Sequence, residues 1–186
     1  MLTVTVSKQA QQIKRNEFAI TDPTEVMQIA RELADTDLLD DFKEGGASEV
    51  KLRGVNKLVF KIAKLKADDD RSMMLCQWGE DTVTNKSHDE LIRDSTDLVN
   101  PAQPAAEDAD SKTKPDIVIK DLTVRGKPAR FQFLKVKHKP AEGEEAEYWQ
   151  VSGVIAGKDG PTVLTLFLPR TDYTMEQLIA DFEAIK

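Results

Sequence analysis

The chain has 186 residues, of which 33 are acidic and 26 basic, giving a net charge of −7, and 40% are hydrophobic. That length supports one domain with a real core, and the acidic balance argues against non-specific nucleic-acid binding, which needs a net basic face. Cys76 is the only cysteine, so no disulfide can form within the chain, and no apolar run reaches the roughly 18 residues of a membrane span.

The start, Met1-Leu2-Thr3-Val4-Thr5-Val6, is too short for a signal-peptide core and suits a short strand or the remnant of a longer upstream segment. Residues 7–17 are polar and read as a tether or a frayed helix. A helix opens at Asp22-Pro23-Thr24-Glu25: Asp22 is a good N-cap, Pro23 suits the first helical position, and Glu25 is placed for a capping box. Val26, Ile29, Ala30 and Leu33 then share one face. Gly45-Gly46 ends the following connection. Val50 and Leu52 alternate with Lys51 and Arg53, and a turn at Gly54-Val55-Asn56 leads to a strand through Leu58, Phe60 and Ile62. Asp68-Asp69-Asp70 forms a polar tip. Residues 73–78 are apolar at nearly every position, as in a central strand covered on both faces.

Ser87-His88-Asp89-Glu90 is a capping pattern that starts a second helix, with Leu91, Ile92, Ser95, Leu98 and Val99 inward. Residues 100–115, with Pro101, Pro104 and Pro115, show no apolar period and read as an internal linker. Residues 117–124, a turn at Gly126-Lys127 and residues 131–134 form a hairpin. A charged tip at residues 135–145 returns through Tyr148 to Ile155, and Gly157-Lys158-Asp159-Gly160-Pro161 turns into residues 163–168. The last helix is capped by Thr174 with Gln177, and Tyr173 is placed to staple to Leu178. Short turns between successive strands predict an α+β fold: a mainly antiparallel sheet flanked by helices, in one domain over residues 18–186.

Several of these blocks, in this order, resemble a bacterial family of single-span membrane-anchored proteins of unassigned activity. They are Phe18-Ala19-Ile20-Thr21-Asp22-Pro23 with Ile29-Ala30, Ser72-Met73-Met74-Leu75, Leu122-Thr123-Val124-Arg125-Gly126, Gln150-Val151-Ser152-Gly153, the turn at 157–161, and Tyr173. The element order is also similar to the PsbP-like α/β/α sandwich. The resemblance implies an extracytoplasmic or membrane-tethered domain and assigns no catalytic residue. A start at Met1 would place the chain in the cytoplasm instead.

The residues with chemical potential give bland readings. His88 and His138 lack the spaced partners of a transition-metal site and read as surface residues. Cys76, in an apolar strand, reads as a buried inert thiol. Asp68-Asp69-Asp70 lacks the glycine and distal glutamate of a calcium loop. The 157–161 turn lacks the phosphate-loop pattern. No catalytic residue, metal ligand or cofactor is assigned. The run from Lys51 to Lys66 holds lysines and one arginine without an acid. As a strand it faces Lys57 and Lys61 outward, a basic face suited to an acidic partner or anionic lipid, or to discouraging edge pairing. Tyr148 and Trp149 fall on opposite sheet faces, so only one is core-facing if a single face is covered. The expectation is a non-enzymatic protein-interaction domain with Lys57, Lys61, Tyr148 and Trp149 as candidate surface. The alternative is a ligand binder or enzyme.

Overall fold

The computed structural model describes residues 18–34, 36–52, 57–99, 117–138 and 146–185. Helix α1 (Pro23–Leu33) begins as its sequence dictates, with the Asp22 carboxylate accepting from the Glu25 N–H at 3.0 Å. A 3-10 turn (Asp37–Asp41) leads into β1 (Glu44–Leu52), β2 (Lys57–Lys66) and β3 (Ser72–Trp78). Helices α2 (Glu80–Asn85) and α3 (His88–Val99) follow. After them come β4 (Ile117–Val124), β5 (Lys127–His138), β6 (Ala146–Ala156), β7 (Pro161–Pro169) and helix α4 (Met175–Ala184).

All seven strands form one sheet in the order β1-β2-β3-β7-β6-β5-β4, antiparallel throughout. The expected α+β architecture is therefore present. Two meanders meet where β3 pairs with β7, from Ser72↔Phe167 to Gln77↔Thr162. Period-two alternation sends one set of side chains to each face. Ala63, Leu65, Leu75, Leu166, Val151 and Phe131 pack with α1 and α4, while Phe60, Ile62, Cys76, Val163 and Val154 pack with Leu91, Ile92 and Leu98 of α3. Each large apolar side chain buried this way contributes about 1.5–3 kcal/mol. On the first face Phe182 of α4 stacks on Phe131 with ring centres 4.6 Å apart.

Covering both faces settles several expectations. β3 is buried over Met73 to Gln77 and lies between β2 and β7. Tyr148 and Trp149 are both buried, 5% and 7% exposed, with Trp149 in the core that α1 and α4 cover. The Trp149 indole N–H donates to the Tyr173 carbonyl at 3.0 Å, and its ring lies beside Lys135 and Arg170. Both local caps form: Ser87 with Glu90, and Thr174 with Gln177.

Three boundaries differ from the sequence reading. β1 starts at Glu44, so Gly45 and Gly46 lie inside the strand. Gly46 is there because the Phe18 ring rests on it; a Cβ would come within 2.6 Å of that ring. The β4–β5 turn is Arg125-Gly126, one residue earlier than expected, and the short helix α2 had no periodic signal. The expected N-terminal strand and tether, the turn at 54–56, the linker at 100–115, the hairpin tip beyond His138 and the side chains of Val99 and His138 lie outside the described residues.

Candidate functional site: a cationic groove beside α1

In a meander, alternate turns emerge at the same end of the sheet. The β4–β5 and β6–β7 turns therefore share an end, and α1 meets them there. At the first turn Arg125 (φ 53°) and Gly126 (φ 72°) are both left-handed, as a type I′ hairpin requires. Arg125 thus sits at the turn apex, and Lys127 opens β5. At the second turn the Gly157 N–H donates to the Gly160 carbonyl at 2.9 Å. Gly157 lies so close to α1 that a Cβ would sit 2.4 Å from the Leu33 carbonyl oxygen. The Thr162 hydroxyl fastens the same place, donating to that carbonyl at 2.9 Å. These packing demands bring Lys158 to the side of α1.

Between α1 and the two turns lies an open groove of about 1150 Å³. Pro23, Met27 and Ala156 supply its apolar lining, and Gln28 and Thr24 supply neutral polar groups. Arg31, Lys43, Arg125, Lys127 and Lys158 supply charge. Arg31 meets Asp40 at 3.0 Å and Lys43 meets Asp68 at 2.5 Å. Arg125, Lys127 and Lys158 are exposed and form no ion pair among the described residues. Glu32 is the carboxylate in the wall. It accepts from Lys61 at 2.5 Å and from the Gln28 amide at 3.3 Å. The Lys61 hydrogen bond holds its carboxyl below the usual value, against the opposing effect of burial.

The residues singled out from sequence lie elsewhere or are already engaged. Lys57 pairs with Asp81 of α2 at 2.6 Å, Lys51 with Glu49 at 2.9 Å, and Lys61 is largely buried under Glu32. The Lys64 amine is half-buried, and burial pushes its pKa down. Lys51, Lys57, Lys61 and Lys64 of the run are therefore neutralised or desolvated within the fold, and Tyr148 and Trp149 are buried. His88 is exposed on the first turn of α3. The Cys76 thiol is fully buried and pushed up to about 12 by that burial. Asp68 and Asp69 pair with Lys43 and Arg71. The groove cations were missed because Arg125 and Lys127 lie some thirty residues from Lys158 in sequence; the available signal was two turns at one end of a meander, each carrying a cation.

No known protein family, curated protein or solved structure matches the chain.

Proposed function

We propose that this chain is a non-enzymatic interaction domain whose groove receives an anionic segment of a partner protein. One observation carries the reading: three cations without ion pairs among the described residues converge on a groove in a chain whose net charge is −7. Cations with only a structural role would be paired by acids that the fold brings to them, as Lys51, Lys57 and Lys61 are by Glu49, Asp81 and Glu32. Exposed cations interact weakly one at a time, about 1 kcal/mol at 4 Å in water, so several must act together. Such binding is strongly screened by salt.

An enzymatic reading would want a groove carboxylate tuned upward toward neutrality to serve as acid or base. Glu32 is shifted the other way by Lys61. The resemblance of residues 18–186 adds a location to the proposal, with an upstream tether holding the groove near a membrane surface. Recovery of no crosslinked partner from membrane extracts would count against that placement.

The direct test is fluorescence anisotropy with a labelled oligoglutamate peptide. Binding that weakens with salt and is lost in the triple variant Arg125→Glu, Lys127→Glu, Lys158→Glu supports the groove. Equal affinity in the triple variant overturns it.

A further inference from the structure

The two edges of the sheet are protected unequally. On β1, Ile20 and Ala47 exchange both backbone hydrogen bonds, at 2.9 and 2.8 Å, and a register break falls between Val50 and Lys51. A paired segment and a bulge both block strand addition. β4 has neither among the described residues, and its register with β5 runs unbroken from Ile117↔Leu134 to Val124↔Lys127.

The turn fixes which groups of β4 face outward. A two-residue type I′ turn makes Val124 and Lys127 a mutually hydrogen-bonded pair, and the pattern alternates from there. Pro128, with no N–H to give, accordingly falls opposite Thr123 at an unbonded position. Ile117, Ile119, Asp121 and Thr123 therefore present their N–H and C=O groups to the open edge. Their side chains share one face. Ile117 and Ile119 are the large apolar residues exposed among the described ones, at 46% and 52%. Asp121 is neutralised by Arg130, at 2.7 and 3.2 Å, so it does not repel an acidic visitor. The strand ends at Arg125 and Lys127 in the groove wall.

We propose that the β4 edge takes an added strand from the partner: an extended segment with alternating apolar residues over Ile117 and Ile119, and carboxylates at the end near Arg125 and Lys127. This rests on the groove reading above and specifies its partner. Backbone pairing gives such a segment affinity, and alternate side chains give it specificity. A second copy fits less well. Two-fold pairing centred on Lys120 or Asp121 sets like charges opposite one another, and pairing centred on Ile119 sets Ile117 against Asp121 of the other copy.

The test is residue-resolved hydrogen exchange on the full chain, free and with a peptide of alternating valine and threonine ended by a block of glutamates, the block placed at either end. The amides of Ile119, Asp121 and Thr123 exchange freely without peptide and slow with it. Thr123→Pro and, separately, Ile119→Lys weaken binding at least about tenfold. Salt-sensitive binding that leaves those amides unprotected overturns strand addition while the groove reading stands. Protection of those amides in the free protein shows the edge already covered, by its own chain in a monomer or by a second copy in a sedimenting dimer, and overturns the proposal. Failure of both peptides to bind overturns strand addition and the groove reading together.

Discussion

The Thr162 hydroxyl donates to the Leu33 carbonyl at 2.9 Å, across 129 residues of sequence, and the bond is buried. The last carbonyls of a helix have no partner within it. Here β7 supplies one, and the same bond sets the β6–β7 turn against α1. Thr162→Val keeps the shape and removes the donor. The variant is expected to lose about 1–3 kcal/mol in chemical denaturation, with Thr162→Ser retaining most of the stability. Anionic-peptide binding should also weaken in Thr162→Val, because Lys158 is no longer held beside α1. A valine variant as stable as the parent would mean that this bond does not fasten the turn.

Local grammar was legible in the sequence where a feature depends on residues a few positions apart. Asp22, the Ser87/Glu90 pair and the Thr174/Gln177 pair cap helices through i to i+3 hydrogen bonds, and each forms. The 157–161 turn was legible for the same reason. Tyr148 and Trp149 mark the limit. Alternation places them on opposite faces, but the burial of both depends on groups brought from distant parts of the chain, as Tyr173 is brought to the Trp149 indole. Charge behaves alike. Lys57 and Lys61 look like a patch in sequence, yet α2 and α1 bring Asp81 and Glu32 to them. Arg125 and Lys158 look incidental and are brought together.

Glu32 offers a pH test of the groove wall. Its carboxyl is held below the usual 4.5, first by the Lys61 hydrogen bond. A depressed carboxylate stabilises the fold above its unfolded value, and that stability is lost as pH falls through the folded value. The pair is partly exposed, so its contribution stays under about 1 kcal/mol. Carbon-13 titration of the side-chain carboxyl should place Glu32 below 4.5, and Lys61→Met should raise it. A midpoint unmoved by Lys61→Met would show that another group sets it.

Cys76 shifts in the opposite sense for an acid. Burial raises the thiol from 9.0 to about 12, against a smaller lowering by a hydrogen bond with Ser95. Between those values the unfolded chain has lost the proton and the folded chain keeps it. Stability from this group is therefore intact below about pH 9 and declines as pH rises toward 12. Iodoacetamide at pH 8 should label Cys76 only as fast as the protein unfolds, with a rate that rises with urea. Rapid labelling of the native protein would show an accessible thiolate and refute the buried placement.

Gln150 is the residue whose replacement should help the fold. It lies on β6 between Leu134 of β5 and Phe167 of β7, and its side-chain Oε1 is buried without a hydrogen-bond partner among the described residues. A buried acceptor left unpaired costs about 1–3 kcal/mol. Methionine has nearly the same length and volume and no such demand, and the residues directly opposite, Leu134 and Phe167, are apolar. Gln150→Met is therefore expected to gain about 0.5–2 kcal/mol in urea denaturation, an unusual sign for a core substitution. A loss of stability would mean that the amide is satisfied in solution by a group that only the glutamine can engage.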